Sequence, residues 1–305
     1  MRRIFVTLVM LAGLNTFGAI AYLHFAGSQS PSPPWKTSSV LEVMPHDEHV
    51  GIAILGTSHA RSLSGCETSA EAIENSLDTT VLNLAKNAAG PMPLRLYTEE
   101  FLARGNSTDT LLYFADPWAF YSAKWNEEHG FLCDEPLDPR FFARCIIAGR
   151  SPRQLFRNAQ QGFLNQSFDQ HLVESNDCLA HLDNVDVRYA QGRIDHLFNT
   201  QPSEAALQKY TAELGDIISL AQSNGADVVI ATPPTLLGEL PGMDAFDKAM
   251  QAIAAKHQAR YYNFADIMQD PVFYIDHDHL NARGVAYFAE NHLRPALHQA
   301  LQLAG

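Results

Sequence analysis

Short apolar runs alternate with helical patterns along most of this chain. Five runs have the length of buried strands, at residues 50–55, 80–84, 110–114, 227–231 and 260–264. Amphipathic helical patterns occupy residues 69–77, 94–103, 203–223, 244–257 and 282–303, with Asn281 as the expected N-cap of the last. Strands that alternate with helices predict an α/β fold, a three-layer α/β/α sandwich around a mostly parallel sheet.

The alternation stops between about residue 118 and residue 200. This stretch is rich in aromatic residues, Asp, Arg and Pro, and it carries three of the four cysteines. Some helix is expected within it, around residues 152–163. We therefore expect one domain over residues 49–305, interrupted by an irregular insertion.

The N-terminus predicts export. Residues 1–26 begin with two arginines and continue as a nearly uninterrupted apolar run, long enough to span a bilayer. The alternative is a cleaved signal peptide, because Ala19-Ile20-Ala21 resembles a cleavage site. Both interpretations place the domain on the extracytoplasmic, periplasmic face. Residues 27–48, rich in Ser and Pro, are expected to form an extended linker.

Composition limits the class of protein. With 305 residues, 46% of them apolar, the chain can bury a sizeable core, and its net charge of -13 excludes a nucleic-acid binder. An exported compartment permits disulfides. Cys66, Cys133, Cys145 and Cys178 allow three connectivities; we expect Cys133 with Cys145, which share the irregular stretch, or else buried thiols.

Three residues could form a catalytic triad. Ser58 follows the first strand, and Asp276 and His279 lie in the loop before the last helix. Sites in parallel sheets gather at the carboxyl ends of strands. The Asp-x-x-His spacing lets Asp276 orient the His279 ring, whose other nitrogen would take a proton from Ser58. The alternative for Ser58 is a simple helix N-cap.

The polar residues next to this triad give weaker support for a metal site or for a different base. The run from Asp276 to His279 contains metal-ligand types, but no further cluster completes a shell, so we expect no metal and no cofactor. His277 and Asp278 are interpreted as solvated loop residues. His59 lies directly beside Ser58 and is expected to pack or support the site rather than to act as the base.

The blocks Gly56-Thr57-Ser58 and Asp276-x-x-His279-Leu280-Asn281 resemble those of the SGNH (GDSL-like) hydrolase superfamily. The resemblance extends from about Val50 to Leu303. It is strongest to the exported, membrane-anchored branch related to cell-envelope polysaccharide O-acyl esterases and acyltransferases. It implies that Ser58 is the nucleophile, and that Asp276 and His279 are the acid and base.

The resemblance also implies an oxyanion hole, in which this chain departs from the family pattern. One donor is the N–H of Ser58; a second is expected near Ala88 or Gly90, where the family has glycine, with Asn87 as a further candidate. After the third strand, Asp116 replaces the expected asparagine. An ionised carboxylate there would repel an oxyanion. Asp116 and Trp118 are instead candidates for lining the substrate groove, or else a strand-end turn with a core tryptophan.

These expectations combine into one function. The chain would be an exported serine esterase or O-acyltransferase that acts on an acylated polysaccharide. Its partners would be the glycan or an acyl donor, the membrane and a membrane-bound acyltransferase. The alternative is a catalytically degenerate relative that kept the fold and serves as a glycan-binding or scaffold subunit.

Overall fold

Five parallel strands form one sheet in the part of the chain that the structure describes. The computed structural model describes residues 31–128, 130–136, 138–158 and 176–297. The strands are β1 (His49–Leu55), β2 (Val81–Asn83), β3 (Ser107–Phe114), β4 (Asp227–Thr232) and β5 (Arg260–Asn263). Their order is β2-β1-β3-β4-β5, and every neighbouring pair is parallel. All five predicted strands are confirmed.

In chain order, the helices with full bounds in the described residues are α1 (Val40–Val43), α2 (Ser58–Ser62), α3 (Glu67–Leu77), α4 (Pro91–Ala103), α5 (Lys124–Glu127), α6 (Pro139–Ile147), α7 (Val187–Leu197), α8 (Glu204–Ser223), α9 (Met243–Lys256) and α10 (Ala282–Phe288). The predicted helices are confirmed as α3, α4, α8, α9 and the start of the last helix, α10. The stretch that was expected to be irregular also contains α5, α6 and α7. The predicted last helix begins as α10 and continues as a π-helical segment, Ala289–Leu293. Its predicted end, at 298–303, lies outside the described residues. No helix among the described residues is long and apolar enough to cross a membrane.

The side chains of successive β1 residues pack on opposite faces of the sheet, in two separate hydrophobic clusters. Ala53 and Leu55 pack in a cluster with side chains of α4, α8 and α9, whereas Ile52 and Ile54 pack with α3 and α10. The same alternation holds in β3 and β4. Side chains alternate across a strand, so the sheet carries a helical layer on each face. The predicted three-layer sandwich is confirmed.

The strand order reverses direction between β1 and β3. From β1 the chain moves outward to β2, then returns past β1 to β3 and continues to β5. In open parallel sheets, ligands bind outside the carboxyl ends of the strands at such a switch point. Ser58 follows β1 and Asp116 follows β3, so both residues lie at the switch point.

The insertion is partly built into the core. Phe141 of α6 is fully buried and stacks on Tyr97 of α4, with ring centroids 5.1 Å apart. Residues 152–158 are helical, as predicted for that part of 152–163; residues 159–163 lie outside the described residues.

The predicted pairing of Cys133 with Cys145 is wrong. A disulfide joins Cys66, the residue before α3, to Cys178 within the insertion. Cys145 is fully buried on the core side of α6. Closeness in sequence did not identify the partners, because folding brings together two cysteines that are 112 residues apart.

The prediction of an extended linker is wrong for the described residues 31–48, because part of this segment is helical and buried. Val40 and Leu41 of α1 are buried in the main core. The buried Glu135 carboxylate accepts hydrogen bonds from the Ser39 hydroxyl at 2.6 Å and from the Val40 and Leu41 N–H groups at 3.1 Å. Lys86 balances its charge at 2.9 Å. The predictions for residues 1–30 lie outside the described residues.

Candidate active site

The Asp276 carboxylate holds the His279 ring. Its oxygens lie 3.0 and 2.9 Å from His279 Nδ1, and Oδ1 also accepts from the backbone N–H groups of Asp278 and His279, at 2.9 and 2.8 Å. Because a carboxylate accepts hydrogen bonds, the shared proton is assigned to Nδ1. Nε2 is then the basic nitrogen.

His279 is fixed in place but open on its basic side. Its backbone carbonyl accepts from Ile275 N–H at 2.9 Å, and Asn281 caps α10 by accepting from Gly284 N–H at 2.8 Å. The predicted N-cap role of Asn281 is thus confirmed. Among the described residues, His279 Nε2 has no hydrogen-bond partner. The imidazole can therefore accept a proton from an incoming group.

Ser58 begins α2 directly after β1. The turn between them needs Gly56, because its φ is +152° and an added Cβ would lie 2.6 Å from the Ala60 Cβ. Thr57 is the N-cap residue, so the alternative role of Ser58 as N-cap is wrong. Ser58 is half-buried, and its hydroxyl has no hydrogen-bond partner in the described part of the chain.

The beginning of α2 meets the His279 loop through His59. The ring centroids of His59 and His279 are 5.1 Å apart. This contact places α2, the helix that Ser58 begins, beside the loop that carries the Asp276–His279 pair. The Ser58 hydroxyl and the His279 ring are not hydrogen-bonded to each other in this structure. Catalytic hydrogen bonds are often loose without substrate.

His59 is buried between two carboxylates. Nδ1 contacts Asp116 Oδ1, and Nε2 lies 3.0 Å from Asp278 Oδ2. Burial alone lowers the His59 pKa, but the charges and hydrogen bonds of Asp116 and Asp278 outweigh it and raise the pKa to about 10. His59 is therefore an imidazolium at neutral pH. The prediction that it supports the site rather than acting as the base agrees with these contacts.

Asp278 is not the solvated loop residue that the sequence suggested. It is 1% exposed, and besides His59 it accepts from Arg193 of α7, whose Nε and Nη2 each lie 2.8 Å from Oδ2. Its Oδ1 lies 3.6 Å from His279 Nδ1 and has no hydrogen bond. Burial raises the Asp278 pKa, but His59, His279 and Arg193 together hold it well below its ordinary value.

His277 is also buried, contrary to the prediction. Its Nε2 accepts from the Asp186 N–H at 2.9 Å, and its ring stacks on Tyr189 with centroids 4.7 Å apart. His277 and Asp278 thus both contact α7 of the insertion. His277 binds at its start, through Asp186, and Asp278 binds in its middle, through Arg193. No pattern in the sequence pairs Arg193 with Asp278, since 85 residues separate them.

Asp116 and Trp118 do not line a groove, contrary to the prediction. They are 1% and 2% exposed. Asp116 accepts from the Thr57 hydroxyl and binds His59, whereas Trp118 packs edge-on against Trp125 with centroids 5.0 Å apart. The alternative, a strand-end turn with a core tryptophan, is confirmed. The imidazolium of His59 balances the Asp116 charge, which reduces the expected repulsion of an oxyanion.

The loop after β2 lies beside the turn that carries Ser58. The Lys86 N–H donates to the Gly56 carbonyl at 3.0 Å. Asn87 and Ala88 follow and are exposed, and Ala88 has φ +57°, a conformation that glycine favours. Gly90 is excluded as an oxyanion donor, because its N–H donates to the Trp125 carbonyl at 2.7 Å. The N–H groups of Ser58, Asn87 and Ala88 remain candidates.

A metal would compete with charges that are already paired. His59, Asp278 and His279 could offer ligand atoms within 4.8 Å of one another. However, a cation there would have to displace the proton on His59 and share Asp278 with Arg193. Within the described residues, this donor set fits an ion-pair network better than a metal centre.

Comparison with known proteins leaves the family open. No protein-family model matches the chain, and no curated protein is similar to it in sequence. One similar solved structure, from Bacteroides fragilis, is described as a "putative acylhydrolase"; it has 9% sequence identity and a TM-score of 0.43, with 85% of this chain and 92% of that chain covered. Neither value is high enough to transfer a function.

Proposed function

We propose that this chain is an extracytoplasmic serine esterase or O-acyltransferase that acts on an acylated cell-envelope polysaccharide. The observation that carries the chemistry is the Asp276–His279 pair, whose Nε2 has no hydrogen-bond partner among the described residues; Ser58, at the beginning of α2, supports it. Orientation of the imidazole by a carboxylate leaves a basic nitrogen for a serine hydroxyl.

Each residue has a defined role in the proposed reaction. Ser58 Oγ attacks the ester carbonyl while His279 Nε2 takes its proton, and Asp276 stabilises the imidazolium that forms. The N–H groups of Ser58 and of Ala88 or Asn87 hold the oxyanion. His279 then protonates the departing alcohol, which leaves an acyl-serine. Water or a sugar hydroxyl attacks this ester and gives its proton to His279, which passes it to Ser58 Oγ as the bond from the acyl group to Ser58 breaks.

The substrate class and location rest on the sequence. The resemblance to the SGNH superfamily is strongest for its envelope-polysaccharide branch, and residues 1–26 predict export as an anchor or a signal peptide. The Cys66–Cys178 disulfide is typical of an oxidising compartment and supports that location.

A degenerate glycan-binding or scaffold role is the second candidate. Two observations favour it: Asp116 occupies the position where the family has an asparagine donor, and Ser58 makes no hydrogen bond to His279. Loss of one oxyanion donor costs about 3 kcal/mol of transition-state stabilisation. The second candidate predicts a folded protein without serine-dependent turnover.

The two candidates are separated by labelling and turnover of the full chain. We expect a fluorophosphonate to label the protein and p-nitrophenyl acetate to be hydrolysed, with both lost in Ser58→Ala and His279→Ala. Ser62→Ala is the matched control, because Ser62 lies in the same short helix and donates to the His59 carbonyl at 2.6 Å. Absence of labelling, or turnover that survives Ser58→Ala, would exclude the catalytic proposal.

A further inference from the structure

Residues 139–158 form a basic and apolar surface on a strongly acidic protein. We propose that this surface, which we call the arginine face, binds the headgroup region of an anionic phospholipid bilayer. The arginine face comprises the exposed residues Arg140, Ile146, Ile147, Arg153, Phe156 and Arg157. The proposal does not depend on the catalytic function.

Charge is the first observation. Residues 139–158 contain five arginines and no Asp or Glu, although the whole chain carries a net charge of -13. Arg144 pairs with Glu99 and Glu100, and the buried Arg150 donates to the Glu127 carbonyl, so these two serve the fold. Arg140, Arg153 and Arg157 are exposed and form no ion pair with any described residue. They give the face a positive charge that no described residue of the protein balances with an ion pair.

Exposed apolar side chains are the second observation. Ile147 is 87% exposed and Phe156 is 70% exposed, and Ile146 is 46% exposed. A single exposed apolar residue needs no explanation, but here three lie within eleven positions, among the unpaired arginines. Basic side chains next to large apolar ones are typical of helices that lie in a membrane interface.

The core positions show that this exposure is a property of the fold. Phe141, Cys145 and Leu155, on the same two helical segments, are at most 1% exposed and belong to the main core. The inward sides of α6 and of residues 152–158 therefore attach the segment to the domain. Their outward sides carry the arginine face.

The combination of unpaired arginines and exposed apolar side chains favours a lipid surface as the binding partner. Arginines attract the phosphates of anionic lipids, and isoleucine and phenylalanine side chains enter the boundary between headgroups and acyl chains. An acidic polysaccharide would pair with the arginines but would leave the aliphatic side chains in water. The apolar segment within residues 1–26 also predicts a chain that works at a bilayer.

Quenching of a tryptophan on the arginine face tests the proposal. The full chain with Ile147→Trp would be mixed with vesicles of brominated phosphatidylcholine, with and without phosphatidylglycerol, and the parent chain would supply the background. We expect additional quenching with phosphatidylglycerol that falls as salt is added, because salt screens the attraction. The additional quenching should be at least halved by Arg140→Gln, Arg153→Gln and Arg157→Gln together.

Matched variants make the outcome specific. Lys36→Gln, Lys248→Gln and Lys256→Gln remove the same charge from positions outside the arginine face and should leave the quenching at position 147 unchanged. Ile267→Trp, at a residue that is 39% exposed outside the insertion, should show no additional quenching. The proposal is overturned if position 147 is quenched no more than the parent, if position 267 is quenched equally, or if the three arginine substitutions change nothing.

Discussion

Arg193 of the insertion lies 2.8 Å from the Asp278 carboxylate, and Asp278 in turn holds His59 at 3.0 Å. One buried carboxylate thereby connects three parts of the fold: α7, the loop of His279 and the beginning of α2. Because Ser58 and His279 lie on two of these parts, the insertion contributes to their relative position.

We expect Arg193→Gln to lower kcat of p-nitrophenyl acetate hydrolysis by roughly tenfold, since about 1.4 kcal/mol of lost positioning corresponds to that factor. Arg193→Lys should restore part of the activity, because it keeps the charge. Arg188→Gln, an exposed arginine of the same helix, should behave as wild type. Equal rates for Arg193→Gln and Arg188→Gln would show that Asp278 needs no partner from the insertion.

His59 should make stability depend on pH. Its pKa of about 10 in the folded protein lies above the ordinary 6.5, so its stabilisation is complete below about pH 6.5 and is lost as the pH rises through 10. His59→Gln would leave Asp116 as an unpaired buried charge and Asp278 with Arg193 alone, and should lower the free energy of unfolding by about 3–5 kcal/mol at pH 6.

The measurement is denaturant unfolding of wild type and His59→Gln between pH 6 and pH 10.5. The difference in free energy of unfolding should shrink as the pH rises, because wild-type His59 then loses its proton. His181→Gln, at a histidine outside this ion-pair network, controls for the substitution itself. A difference that stays constant across this range would contradict an imidazolium at position 59.

We expect Asp276→Asn to reduce kcat by roughly 10²–10⁴-fold, because the amide no longer selects the His279 tautomer with Nδ1 protonated. KM should change little, since Asp276 acts through His279. Asp270→Asn is the control: Asp270 also accepts a local backbone hydrogen bond, from Val272 N–H at 3.0 Å, but lies outside the pair. If both variants lose activity equally, the role of Asp276 is only to shape the loop.

The disulfide gives a prediction that needs no activity assay. Alkylation of the denatured, unreduced chain should modify two of the four cysteines, Cys133 and Cys145, and reduction should expose the other two. Replacing Cys66 and Cys178 by Ser should lower the free energy of unfolding by about 2–5 kcal/mol. Cys133→Ser should lower the free energy of unfolding by less, because Cys133 is not in the disulfide. Peptide mass mapping that joins Cys133 to Cys145 would refute the pairing.

The sheet was predictable because its determinants are local. Each strand is a short apolar run between turn residues, and the helices show their own periodicity, so the order of elements followed from the sequence. The pairing of Asp276 with His279 was predictable for the same reason, since three positions of a tight turn bring them together.

The buried ion pairs were not predictable in this way. His59 and Asp278 are 219 residues apart, and charged residues in a loop are usually solvated, so Asp278 was interpreted as a bystander. The disulfide partners are equally distant contacts, and sequence proximity favoured the wrong pair. The effect of Asp116 on an oxyanion depends on the His59 imidazolium beside it, and the sequence does not show that contact.

Glu135 gives the segment before β1 a mechanical connection to the site. The carboxylate that holds Ser39 and the start of α1 also pairs with Lys86, and the Lys86 N–H holds the turn at Gly56. Tension applied along the chain before Ser39 would therefore pass through two side chains to the loop that carries the oxyanion-donor candidates. A pulling force on the N-terminal end of this domain would therefore displace groups at its proposed catalytic centre.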